Sequence, residues 1–346
     1  YASVLQMTRI ARPIAFFARI LAIVCVVSLA NPYTFARSGS NNARVHLAPN
    51  FAPGQTFRYA VETRIETTSI ATGPIRNMGG PKELSESVGV VIRLDVLSSD
   101  APGGPASARI RATYEKSAAT SNAGYDPDVA AAEDQYKKLA GQTVEFTLQA
   151  DGKITGVTGL KDLASDSDPS RAAMLNQWLS QVTLGASLPK QGIAIGEKWS
   201  SQQPLDNVPL DGLSWKTTET YEHDEPCTAT SQPSKAANAP VAPAASSEQC
   251  AIIMSHSEIV GGRDNKERTP EVFRQNGLRT SGVWTGTADS LVAISLRTGI
   301  VSSVTQTGAT HMDFTIMTTV GQNRMRYAGD TRTQSEITLL SPSAVP

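Results

Sequence analysis

The stretch GQTFRYAVETRIE, residues 54–66, alternates so regularly that it decides the fold class. Phe57, Tyr59, Val61 and Ile65 fall on one face, and Arg58, Glu62, Arg64 and Glu66 fall on the other. A period of two with one apolar face is the pattern of a strand buried on one side only. Val88, Val90, Ile92, Leu94 and Val96 repeat it, as do Ile110, Ala112 and Tyr114 against Arg109, Arg111 and Glu115. Val144, Phe146 and Leu148 lead into Asp151-Gly152, a dipeptide suited to the positive φ angles of a tight hairpin, and the chain returns through Ile154. Such strands pair antiparallel.

The same order of signals occurs twice. Gly54-Gln55-Thr56-Phe57 opens the first set, which closes at Asp151-Gly152; Gly196-Glu197-Lys198-Trp199 opens the second, which closes at Arg297-Thr298-Gly299. The second set carries Leu213, Trp215 and Tyr221, then Ile252 and Met254, then Val283 to Leu296, with further strands near residues 310–320 and 324–340. Two helices are predicted. One starts at Asp126-Pro127, shows Val129, Ala132, Tyr136 and Leu139 as its apolar stripe and stops at Gly141; the other starts at Asp168-Pro169, shows Leu175, Trp178, Leu179 and Val182 and stops at Gly185. The expected fold is mainly β within the α+β class: duplicated, curved antiparallel sheet units with two short helices. Two helices cover only part of about a dozen strands, so either the sheets cover one another or a concave apolar face is left for a ligand. Val61, Val90, Ile92 and Phe146 are the candidates to line such a cavity.

Arg9, Arg12 and Arg19 precede an apolar run from Ile20 to Ala30 with no acidic residue before it. This composition predicts an export signal over residues 1–30, too short in its apolar part to span a bilayer. Ser28-Leu29-Ala30 supplies small residues for cleavage, with Thr34-Phe35-Ala36 as the alternative. Residues 31–49 read as a flexible N-terminal segment, 50–188 as the first β-rich repeat and 189–346 as the second. Removing three arginines leaves 28 basic against 32 acidic residues, a net charge of −4. That balance argues against nucleic acid as a partner and offers no basic stripe to an anionic membrane. No transmembrane segment is expected once the signal is removed.

Cys227 and Cys250 flank residues 228–249, rich in Ala, Pro and Ser and without apolar periodicity. In an oxidising compartment this pair predicts one disulfide clamping a surface loop. The alternative is two unpaired small core residues.

The chemistry-bearing motifs are mostly missing. The chain has no G-x-S-x-G, H-E-x-x-H, P-loop or G-x-G-x-x-G sequence, which removes the usual support for serine-elbow hydrolase, zinc protease, P-loop and dinucleotide readings. If Cys227 sits opposite Cys250, Tyr221 faces His256, and His223 lies diagonal to it within reach of Glu258, the one place where a divalent metal is conceivable. Exposed strand histidines account for the same residues. Glu222, Asp224 and Glu225 read as a solvated charge run, and His46 and His311 have no evident partner. Asp95, Glu115, Glu145 and Asp289 could in principle supply a general acid and base, but a solvent-facing carboxylate is the commoner state. Trp178, Trp199, Trp215 and Trp284 read as core or cavity lining. No cofactor is expected.

Residues 139–163 (LAGQTVEFTLQADGKITGVTGLKDL) and 188–199 (LPKQGIAIGEKW) together resemble a family of exported bacterial proteins of unknown function. The shared pattern is a glycine-led hairpin, a helix carrying Trp, and a Pro-led segment ending in Gly-Glu-x-Trp, over about residues 50 to 310. The resemblance implies export and a repeated β unit, and it brings no catalytic residues. The resulting expectation is a periplasmic or extracellular, non-catalytic binding or structural module of the cell envelope, whose partner is an envelope protein. The alternatives are a periplasmic carrier or sensor of a hydrophobic small molecule, by analogy with lipoprotein carriers, and a hydrolase with an unrecognised site.

Overall fold

Among the described residues, eleven strands make one antiparallel sheet in the computed structural model, and the alternation of the sequence is the alternation of its two faces. The structure describes residues 44–73, 82–100, 107–122, 133–134, 136–149, 154–159, 179, 188–189, 191–205, 208–227, 248–318 and 324–341. Its elements are β1 (Thr56–Thr72), β2 (Lys82–Ser99), β3 (Ala108–Ser121), β4 (Thr143–Leu148), β5 (Ile154–Thr158), β6 (Lys198–Pro204), β7 (Ser214–Pro226), β8 (Gln249–Val260), helix α1 (Glu271–Gln275), β9 (Leu278–Ser295), β10 (Val301–Thr318) and β11 (Arg324–Leu340). The spatial order is β5-β4-β3-β2-β1-β11-β10-β9-β8-β7-β6. The chain therefore starts in the middle of the sheet, meanders to one edge, crosses to the other edge and meanders back. β1 and β11 form the seam, from Arg58 opposite Leu340 to Thr72 opposite Arg326.

The repeat is visible in hydrogen bonds. The Gly54 N–H donates to Val96 O, the Val96 N–H to Gln55 O, and the Gln55 N–H to Ala52 O; Gly196, Tyr221, Glu197 and Ala194 make the same three bonds. The side chain completes each copy, since Gln55 Oε1 accepts the Ala52 N–H at 2.8 Å and Glu197 Oε2 accepts the Ala194 N–H at 2.9 Å. Gly141, Tyr114, Gln142 and Leu139 repeat the backbone bonds a third time ahead of β4. The three glycines have φ of 83°, 83° and 81°. That value at the third position of a four-residue turn is type II geometry, which selects glycine by backbone conformation alone.

Inward-facing side chains form two apolar clusters on one sheet face. The larger gathers residues from both halves of the chain, among them Tyr59, Ile92, Tyr114, Phe146, Tyr221, Ile294 and Ile337. The smaller occupies the other end of the long strands, around Trp215, Ile259, Trp284, Phe314 and Ile316. A polar row separates them, running in register across six strands through Glu219, Ser255, Ser290, Gln306, Ser335 and Thr63.

The two repeats share one sheet and one main core, a point the sequence left open. Residues 44–49, the described end of the segment expected to be flexible, are docked: Val45 bridges Ile193, and Leu47 is buried in the main core with Phe51 just beyond. The short α1 was not foreseen. Most of both predicted helices, the signal segment, the Asp151-Gly152 turn and residues 228–247 lie outside the described residues. Tyr136, Leu139 and Leu179 from those helices are buried in the main core.

Candidate functional site

The outward face of the sheet is hollowed into a cleft of about 760 Å³ crossing β3, β2, β1, β11, β10, β9 and β8. Each strand but β8 contributes an outward–inward–outward triplet, so the floor consists of two parallel rows of outward side chains. One row runs Thr120–Ser87–Arg64–Gln334–Thr307–Asp289, with each residue directly opposite the next. The other runs Ala118–Gly89–Glu62–Glu336–Thr305–Leu291–Met254.

The cleft is graded in chemistry. Met254 and Leu291 face one another at the β8–β9 wing and are 49% and 45% exposed, two of the few large apolar side chains left open to solvent. Hydroxyl and amide groups of Thr305, Thr307 and Gln334 follow. At the β1–β11 seam Glu62 stands directly opposite Glu336. Arg64, beside them, is bonded to Glu66 at 2.8 Å, and Asp289 Oδ1 lies 2.7 Å from His256 Nδ1, accepting its hydrogen bond when that ring nitrogen carries the proton. On the far wing Gly89 and Ala118 leave open space; a Cβ at Gly89 meets nothing within 4 Å.

Val61, Val90, Ile92 and Phe146 do not line this cleft. All four are at most 2% exposed inside the main core, on the opposite face. Of the two alternatives for the apolar face, covered or left concave, it is covered where these residues lie, by neighbouring strands of both halves and by Leu47, Phe51, Tyr136, Leu139 and Leu179.

The histidine pair also resolves differently. β7 and β8 pair with Glu225 opposite Cys250, His223 opposite Ile252, and, beyond a register shift after Tyr221, Thr218 opposite His256. His223 and His256 are therefore not neighbours. His223 lies 3.5 Å from Glu225, His256 pairs with Asp289, and Glu258 lies 3.8 Å from Arg263. Among the described residues no three His, Cys, Asp or Glu side chains form a group able to hold a metal ion. His311 pairs with Asp330 at 2.9 Å. Cys227 and Cys250 form the disulfide, with Cα atoms 5.0 Å apart and a sequence separation of 23.

The candidate acid–base carboxylates are engaged by cations. Glu115 is held by Arg58 at 3.0 Å and Arg93 at 3.2 Å, and Asp95 by Arg93 at 3.0 Å. Glu145 is held by Arg109 and Arg111, whose hydrogen bonds keep its carboxyl below the usual carboxylate range. The Arg326 guanidinium does the same to Asp313. Trp215 and Trp284 are core residues and Trp199 packs against the core; Trp178 lies outside the described residues.

Sequence reasoning missed the cleft because its lining reads as ordinary solvent-facing alternation. The available signal was the break in that polarity at Met254 and Leu291.

No family model matches this chain, and no curated protein matches it. Among solved structures it is similar to DynF from the dynemicin biosynthesis pathway of Micromonospora chersina, at 8% identity over 91% of this chain and 96% of that chain. The TM-score of 0.18 is too low to carry an argument about fold or function. Among the described residues no helix is long and apolar enough to cross a membrane.

Proposed function

We propose that the protein is an exported, non-catalytic binding module of the bacterial cell envelope and that its binding face is the outward cleft. The observation that carries this reading is a seven-strand concavity that places two exposed apolar side chains, a band of hydroxyl and amide groups and two opposed carboxylates in one continuous surface. Apolar contact combined with a few convergent polar groups is the usual make-up of a binding site. The Cys227–Cys250 disulfide and the basic-then-apolar composition of residues 1–30 support export to an oxidising compartment. Against a hydrolase stands the engagement of Asp95, Glu115 and Glu145 by arginines on an open surface.

The carrier reading has less support, since the apolar face it needs is packed where Val61, Val90, Ile92 and Phe146 lie. The test is to purify the protein from the periplasm, identify retained molecules by mass spectrometry after crosslinking and after solvent extraction, and repeat with Gly89→Trp, which places an indole in the cleft. Retention by the wild type that the variant loses is the expected result. A stoichiometric lipid extracted equally from both proteins would favour the carrier, and a defined turnover would overturn the non-catalytic assignment.

A further inference from the structure

We infer that the cleft receives an extended basic polypeptide segment in which an apolar residue and a lysine or arginine stand four positions apart. The inference rests on the cleft being the binding face and names what it binds.

The spacing comes from the strand register. Met254 and Leu291 sit opposite one another on β8 and β9, and Glu62 and Glu336 sit opposite one another on β1 and β11, in the same row of the sheet. Three strand spacings separate the midpoints of these pairs, about 14 Å. An extended chain advances about 3.4 Å per residue and points residues i and i+4 to the same side, so a segment lying across the strands covers that distance in four residues. Thr305, Thr307 and Gln334 lie between the two pairs, with polar groups where its main chain would run.

Charge complementarity selects the occupant. Directly opposed carboxylates repel, and among the described residues neither Glu62 nor Glu336 has a cationic partner. The neighbouring Arg64 is turned to Glu66, and Asp289 is paired with His256, so the seam retains two uncompensated negative charges. A cation brought by a ligand relieves a repulsion that the free protein carries. The trough is also long: seven strands extend about 29 Å, the length of roughly eight or nine extended residues. An open trough of that length fits a polypeptide better than a compact metabolite.

The test uses fluorescein-labelled Gly-Ser-Leu-Ser-Thr-Ser-Lys-Ser-Gly and its reversed sequence, titrated with the full mature protein at low ionic strength. At least one orientation should bind tenfold or more tightly than the same peptide with Lys replaced by Glu, and than a peptide with Leu and Lys three positions apart. Glu62→Gln and Glu336→Gln should each weaken binding at least fivefold without lowering the denaturation midpoint, and Gly89→Trp should abolish it. Binding indifferent to the spacing, to the lysine or to Glu336→Gln overturns the inference, as does no binding of either orientation. The cleft reading fails separately, if Gly89→Trp retains every envelope component that the wild type holds.

Discussion

The hydroxyl of Tyr59 on β1 donates to the carbonyl oxygen of Val301 on β10 at 3.1 Å, bridging over β11 inside the main core. Val301 lies at a register shift in the β9–β10 ladder, and the Tyr59 hydroxyl ties that irregular point to β1. Tyr59→Phe should lower stability by about 1–3 kcal/mol, because a buried acceptor is stranded while the ring packing is kept. Urea denaturation measures this, and a loss under about 0.5 kcal/mol would show the bond to be dispensable.

Burial also sets a response to alkali. Desolvation pushes the phenols of Tyr59 and Tyr114 far above their ordinary range, and that of Tyr327 up to about 12. A group that holds its proton more tightly when folded contributes stability in full below its unfolded pKa, near 10, and loses it as pH rises toward the folded value. Stability should therefore fall above about pH 10, by about 1.4 kcal/mol per pH unit for each of Tyr59 and Tyr114. Phenolate absorbance followed beside the urea midpoint tests it: titration of all tyrosines near pH 10 in protein that is still folded would contradict the buried environments.

Gly196→Ala should destabilise by about 1–2 kcal/mol even though the space beside it is open, because the penalty lies in a φ of 81° that an L side chain resists. Gly54→Ala and Gly141→Ala should cost a similar amount, since all three build the same turn. A neutral result at one site alone would show that its turn can rearrange.

How far the sequence was legible follows from what each feature depends on. Facing is local, so the alternation around Phe57–Ile65 and Val88–Val96 read correctly. Register depends on bulges that leave no mark in composition. The shift after Tyr221, together with Cys250 lying opposite Glu225, moved His256 from beside Tyr221 to beside Thr218 and dissolved the histidine pair. A cleft depends on the whole sheet, and therefore Glu62 read as a solvated strand position although it lies on the cleft floor. Leu47 gave no strand or helix signal, because it buries itself from an irregular segment.

The disulfide should staple a loop without holding the fold together. The β7–β8 ladder pairs through its backbone as far as Pro226 opposite Gln249, independently of the sulfurs. Closing a loop of this size contributes about 3 kcal/mol on chain-entropy grounds. Replacing both cysteines by Ala should lower the melting temperature by a few degrees and leave the circular dichroism unchanged. Loss of cooperative unfolding would show that the staple organises the whole sheet edge.

The sharpest contrast lies between adjacent residues on β2. Val90 is buried in the main core, whereas Gly89 faces the cleft with open space where its Cβ would stand. Val90→Trp should force an indole into a filled interior and cost about 1–3 kcal/mol or more. Gly89→Trp should leave stability unchanged or slightly raised, because a strand gains from exchanging glycine for an aromatic residue, while blocking the cleft. Thermal unfolding of the two variants, measured beside ligand retention, separates the faces. If Val90→Trp is tolerated and expels a bound molecule, the inward face holds a cavity and the binding site must be moved there; if Gly89→Trp unfolds the protein, the outward face is not the open surface described.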